Sequence, residues 1–228
     1  MPLAGHLAEL RDRLIWCLLA VAAGGVVGFA LADPIFDVLT APIPADVPII
    51  VTELGAAFSV RLQVAVVFGV ILAMPVILWH LWRFIAPGLT PSERRSVLPW
   101  IPAALVFFAL GVGVAYVVMP FAAAFLLSFI TDRFDPLINI ASYMDFMTTL
   151  FLAFGLLMEF PILLIGLSRV GIVTSDRLTR SRRMVILVIA IFAAIATPGG
   201  DLVSPLVLGL TLYLLFEGTV LFIRRTGR

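Results

Sequence analysis

Residues 97–127 read VLPWIPAALVFFALGVGVAYVVMPFAAAFLL, thirty-one positions without one charged side chain. As a helix this run is about 46 Å long at ~1.5 Å per residue, while a bilayer's hydrocarbon core is only ~30 Å thick. No core helix of a water-soluble domain needs such a stretch, so the fold is decided here: the chain crosses a membrane. The run must tilt, project beyond the bilayer, or break at Pro120.

The rest of the chain repeats the message. Of 228 residues, 62% are apolar and 13% charged, against about 45–50% and about 25% in soluble domains, and the mean hydropathy is +1.17. A cytosolic globule, a disordered chain and a secreted disulfide scaffold are excluded. A net charge of +1 excludes a nucleic-acid binder held by bulk charge. Continuous apolar runs, without the alternation of a membrane barrel, give an all-α polytopic protein. Six spans are expected, at about 14–32, 62–82, 97–127, 148–168, 184–196 and 205–223, in a single integral membrane domain covering 1–228. The first lacks a small-residue cleavage pattern and reads as a retained helix. The fifth and sixth are short, and Pro205 opens the sixth. A short hairpin turning at residues 197–201 implies a locally thinned bilayer. Cys17, the single cysteine, has no disulfide partner in the chain and reads as a small buried apolar side chain.

Orientation follows from arginine, since the chain has no lysine. Thirteen of the 15 arginines fall on the side of the two termini, and only Arg61 and Arg133 on the other. The positive-inside rule places both termini in the cytoplasm. The outer side carries Asp33, Asp37, Asp46, Glu53, Asp132, Asp135, Asp145 and Asp201. The outer loop at 33–60 is too apolar for a linker and holds Pro34, Pro42, Pro44 and Pro48. It is expected to be an ordered cap with short helices near 34–40 and 53–60.

Charge within the bilayer is costly, so each instance needs a reason. Glu159 is read as the one charge near mid-span, at a cost of roughly 2.5–3.5 kcal/mol on insertion scales. Pro161, two residues on, leaves the carbonyl of Leu157 without its helical donor. Three roles stay open: a neutral carboxyl donating to that carbonyl, a proton relay, or a polar anchor for something entering the bundle. On the cytoplasmic side, Glu9 precedes the first span and Glu93 lies in the second loop. By residue type alone both read as surface carboxylates, pairing with Arg13 and with Arg94 or Arg95. His6 and His80 have no second ligand at metal spacing. The spans hold no pair of aspartates and no serine–histidine arrangement for intramembrane proteolysis, and no phosphate-binding glycine loop occurs. The chain reads as a non-enzyme that calls for no cofactor and no metal.

Four segments, in order, carry a resemblance. They are His6-Leu7-x-Glu9-Leu10-Arg11-x-Arg13-Leu14; Phe84-Ile85-Ala86-Pro87-Gly88-Leu89 with Glu93-Arg94-Arg95; Phe154-Gly155 through Glu159-x-Pro161; and Thr197-Pro198-x-x-Asp201. Together they resemble the TatC family, the large subunit of the twin-arginine protein translocase, over essentially the whole chain. The resemblance implies a receptor for signal peptides bearing two adjacent arginines. Glu9 and Glu93 would recognise that pair, with Arg11, Phe84 and Pro87 near the peptide. Glu159 with Pro161 would be the intramembrane polar site, and Pro42 and Asp201 would serve in the outer loops. It further implies folded cargo, the proton-motive force, and a hetero-oligomer with small single-span TatA/TatB-like subunits in the cell membrane. One position departs: Pro205 stands where the family commonly has glutamine. The rival reading is a proton-coupled small-molecule transporter using Glu159. It expects internal repeats, and none is visible.

The residues add a physical reason for that recognition. A face with thirteen arginines repels a cationic peptide except at local carboxylates, where a guanidinium finds bidentate partners. Adjacent side chains of an extended peptide point to opposite sides, so two carboxylates from separate segments suit an arginine pair.

Overall fold

The computed structural model describes residues 3–45, 47–129, 137–196 and 203–226. It is an all-α polytopic membrane protein: among the described residues five spans are long and apolar enough to cross a membrane, and a shorter helix makes the sixth crossing. The first crossing is α1 (Leu3–Ala30), followed by the short α2 (Ala32–Thr40). The second is α3 (Ala56–Ile85), which runs into a 3₁₀ turn at Ala86–Gly88. After α4 (Pro91–Val97) comes the third, α5 (Trp100–Leu127). The fourth is made of two helices, α6 (Ile140–Leu157) and α7 (Phe160–Arg169). A short α8 (Ser175–Arg180) then leads to α9 (Arg182–Ala196) and α10 (Val203–Arg225). Six crossings return both termini to one face, called here the N-terminal face; the α2 face is opposite.

The boundaries show where charge fails to end a helix. α1 begins eleven residues before the expected 14, because Glu9 and Arg13 pair one turn apart and extend it into the polar zone. α5 passes Pro120 unbroken, as α3 passes Pro75; inside a packed membrane bundle one lost donor is tolerated. Its 28 residues span about 42 Å, so the excess over ~30 Å is met by tilt or projection. α9 is short as expected, 15 residues or about 22 Å. α10 is not: it has 23 residues, about 34 Å. Pro205 lies in its first turn, where an N–H would lack a helical partner anyway, so proline does not delay the helix. The hairpin turn expected at 197–201 lies outside the described residues.

On the α2 face the ordered cap takes shape. The helix expected near 34–40 is α2, whereas the one expected near 53–60 is absorbed into α3. Tyr143 donates to the Leu39 carbonyl at 2.8 Å, and Arg61 pairs with Asp33 at 3.2 Å. Two short strands, β1 (Ile49–Ile50) and β2 (Ile138–Asn139), pair in parallel. Asn139 donates to Thr52 at 2.7 Å and caps α6 by accepting from the Ala141 N–H.

The core joins α3, α5, α6, α9 and α10 around Met144, Met147, Leu150, Phe154 and Leu208. Two glycine crossings let backbones touch. At α1–α3, a Cβ on Gly69 would sit 2.6 Å from the Val21 carbonyl oxygen, and one on Gly24 would sit 2.8 Å from the Gly69 oxygen. At α5–α6, a Cβ on Gly111 would collide with the Phe154 carbonyl, and Gly155 receives the Phe108 ring. Without a hydrophobic drive between helices in lipid, such close approach is the source of association. α1 leans chiefly on α3; its Leu7, Leu14, Trp16 and Leu19 are exposed.

Candidate functional site

The first turns of α1 and the end of α3 meet on the N-terminal face. The His6 ring stacks on the Phe84 ring, centroids 4.3 Å apart and planes 16° apart. Two of the four resemblance segments are thereby joined in space. Trp82 and Ala86, both buried, fix the end of α3. One turn from His6, Glu9 takes both contacts from Arg13 on a single oxygen: Arg13 Nε donates to Oε1 at 3.1 Å, and Nη2 donates to the same atom. The other oxygen, Oε2, is buried without a hydrogen-bond partner; His6 Nδ1 is 3.9 Å from it. The expected Glu9–Arg13 pair therefore forms and leaves half the carboxylate unused. Arg11 turns outward and pairs with Asp12 at 2.8 Å.

Glu93 stands on a different support. Its Oε2 accepts from the Thr90 backbone N–H and hydroxyl, each at 2.8 Å, while Thr90 Oγ1 accepts from the Glu93 N–H. This is a capping box with Pro91 at the first helical position. The expectation that Glu93 is held by Arg94 or Arg95 misses these bonds. The signal was present in Thr90-Pro91-Ser92-Glu93. Pro87, in the 3₁₀ turn, lines a cavity of about 490 Å³ with Leu89, Pro91, Arg94, Arg95 and Leu98. The face thus offers two carboxylates on two rigid pieces, one beside an aromatic stack and one beside an arginine-walled pocket.

Glu159 lies at the break between α6 and α7. Its N–H donates to the Leu156 carbonyl at 3.1 Å, a tighter turn than α, and its own carbonyl starts α7 by accepting from Leu163. Pro161, buried, occupies the first turn of α7, where its missing donor is harmless. Glu159 Oε1 is buried without a hydrogen-bond partner, so this oxygen does not serve the orphan carbonyl. Glu159 is the twentieth residue of the span Ile140–Arg169. That puts it about 15 Å of helix from the N-terminal-face end, less central than the span expected at 148–168 implied. The Gly111–Phe154 and Gly155–Phe108 contacts clamp the helix one turn above it.

The remaining residues are scattered. Pro42 lies in the turn after α2, where the Ile43 N–H donates to the Thr40 carbonyl at 2.9 Å. Asp201 lies outside the described residues. One acid escaped the sequence reading. Glu217, within α10, pairs with Arg182 at 2.7 Å and accepts from Tyr213 at 3.2 Å, so Glu159 is not the single charge inside a span. Asp145, on the outer side in the sequence reading, lies in the second turn of α6 near the α2 face and is bonded to Gln63 at 3.1 Å. Glu217 was legible as an acid inside the last apolar run.

Comparison with known proteins places the chain as a whole in a family. The family model described as Sec-independent protein translocase protein (TatC) matches residues 5–210. A TatC protein of Carboxydothermus hydrogenoformans is 34% identical over 222 residues, covering 96% of this chain and 91% of the relative. One from Campylobacter jejuni is 35% identical over 229 residues, covering 97% and 93%. Among solved structures, the twin-arginine translocase receptor TatC crystallised in DDM superimposes with a TM-score of 0.84 at 31% identity, over 96% of this chain and 99% of that one. The chain belongs to the TatC family of Sec-independent protein translocase proteins.

Proposed function

We propose that the N-terminal face is cytoplasmic and captures signal peptides through two adjacent arginines, with Glu9 and Glu93 as their partners. The observation that carries this is Glu9 itself: Arg13 takes one oxygen, and the other is buried, unpartnered and next to the His6–Phe84 stack. A buried carboxylate oxygen without a donor costs about 1–3 kcal/mol or more; a guanidinium from outside would recover that. Phe84 and His6 give it a flat neighbour to stack on. Glu93, held by its cap, offers the second carboxylate, with Pro87 shaping the turn between the two sites. Arg94 and Arg95 repel peptides whose positive charges fall elsewhere. The thirteen arginines of this face support the cytoplasmic assignment.

In this reading the chain does no bond chemistry. It works with small single-span subunits to move folded cargo across the cell membrane, driven by the proton-motive force. Glu159 is the polar point on which a transmembrane helix of the peptide or a partner is held; Pro42 and Asp201 belong to the outer side of the same passage. Membership of a translocase family supports this over the transporter reading. The test is photo-crosslinking of the purified protein to a peptide with paired arginines and to its paired-lysine counterpart. Crosslinks from the arginine peptide to α1 and α4, several-fold stronger than from the lysine peptide, are expected. Equal labelling by both would reject the reading.

A further inference from the structure

His6 stands beside the very oxygen of Glu9 that has no donor. Its Nδ1 is 3.9 Å from Glu9 Oε2, and that oxygen is buried without a hydrogen-bond partner while Arg13 occupies Oε1. The distance is too long for a hydrogen bond. It suits a neutral imidazole whose proton is on Nε2: Nδ1 is then a bare acceptor facing another acceptor, and neither gains by closing. A protonated imidazole donates from both nitrogens. Nδ1 then needs to close by only about 1 Å to reach hydrogen-bond distance from Oε2, with a full charge drawing it in. The ring's support does not oppose this. It lies against Phe84 with centroids 4.3 Å apart and planes 16° apart, and stacked rings prefer an offset. The His6 side chain is 45% exposed, so water can deliver and remove the proton.

We infer that His6 is a built-in competitor of the signal peptide for Glu9: neutral, it leaves Oε2 open to a guanidinium; protonated, it takes Oε2 and closes the site. With Arg13 on one oxygen and His6 on the other, neither oxygen of Glu9 is left without a donor. An imidazolium on the Phe84 ring also repels a second cation from that place. Capture of the arginine pair is therefore linked to loss of one proton, and it weakens as the pH falls through the imidazole range. This role of His6 rests on the reading of Glu9 as an arginine partner, and adds its regulation. The charged and titratable neighbours decide what else could respond. On α1 they are Glu9 and Arg13, and Arg11 is held by Asp12. On the end of α3, the element packed against the ring, they are His80 and Arg83. Arginine does not titrate in proteins, and carboxyls ordinarily titrate about two pH units below an imidazole. His80, the chain's other histidine, is thus the control; its Nδ1 is also buried without a hydrogen-bond partner.

The test is binding of an N-acetylated paired-arginine peptide to the purified full chain in non-ionic detergent, at pH 7.5 and pH 5.5 and constant ionic strength, with the paired-lysine peptide alongside. An ordinary imidazole, titrating near 6.5, is about nine-tenths protonated at pH 5.5, so exclusive competition weakens capture about tenfold over this interval. His6→Phe keeps a ring for Phe84 but cannot take a proton. Whatever its affinity at pH 7.5, the ratio between the two pH values should fall below about twofold, and His6→Gln should do the same. His6→Arg, a permanent cation beside Glu9, should bind weakly at both. His80→Gln should keep the ratio of the unmodified protein. A ratio below about twofold in the unmodified protein overturns the inference, as does a ratio that survives both His6→Phe and His6→Gln or vanishes in His80→Gln. Those results leave Glu9 as an arginine partner wherever the arginine peptide outbinds the lysine peptide at pH 7.5. Equal binding of the two peptides at that pH rejects the partner reading and the competition together.

Discussion

Gly69→Ala tests whether the helix that carries Glu9 is set by backbone contact. The added Cβ would lie 2.6 Å from the Val21 oxygen and 2.7 Å from the Gly25 nitrogen. Reaching an ordinary contact of 3.4 Å requires α1 and α3 to part by about 0.8 Å. Both obstacles are backbone, so no side chain can move aside, and overpacking of this kind costs about 1–3 kcal/mol. α1 leans chiefly on α3, so the cost falls on that one interface. Fifteen residues along α3, about 22 Å away, Phe84 stacks on His6 and holds Glu9 in place. If the docked arrangement loses the full amount, capture of a paired-arginine peptide falls by about five- to 150-fold, at tenfold per 1.4 kcal/mol. The assay is peptide binding to purified protein, with melting temperature measured alongside. Gly113→Ala, where a Cβ would meet nothing within 4 Å, is the control and should change neither. Peptide binding by Gly69→Ala within twofold of the unmodified protein would refute the reasoning.

Glu159→Gln should keep most transport, since a neutral donor survives at the α6–α7 break, whereas Glu159→Leu should lose it and Glu159→Ala fall between; a proton relay predicts an inactive Gln variant in the same transport assay. Glu93→Gln should preserve the Thr90 capping box and lower peptide capture through charge alone, while Glu93→Ala should also cost about 1 kcal/mol of stability at α4, read by hydrogen exchange there. Lengthening α9 by four leucines adds about 6 Å to a 15-residue helix and should impair transport in membrane vesicles without blocking insertion; normal cargo movement would remove bilayer thinning from the mechanism.

What the sequence revealed and what it hid have physical causes. Six crossings were legible because apolar length is dictated by bilayer thickness, and the wrong boundaries came from treating charge as a stop signal. Glu9 and Arg13 neutralise each other on α1, so the helix extends past them into the polar zone. Pro205 is read as the opening of the sixth span, and α10 begins two residues before it, because a proline in the first turn of a helix costs nothing. Glu9 and Phe84 were named separately, but their meeting through His6 depends on how Gly24 and Gly69 let α1 and α3 cross, a tertiary fact that no periodicity encodes. The Gly24-x-x-x-Gly28 spacing was the available hint. Glu93's cap was readable from Thr90, four residues of local chemistry. The Gln63–Asp145 contact was not, because it joins positions 82 apart.

The central claim is that Glu9 and Glu93 each hold one arginine of the pair, and a double-mutant cycle tests it most directly. Binding is measured for the unmodified protein, Glu9→Gln and Glu93→Gln, each with the paired-arginine peptide and with peptides in which the first or the second arginine is glutamine. The account predicts that each glutamate couples to one arginine and not to the other, by about 1–3 kcal/mol. Coupling energies near zero for both glutamates, with all losses additive, would contradict it.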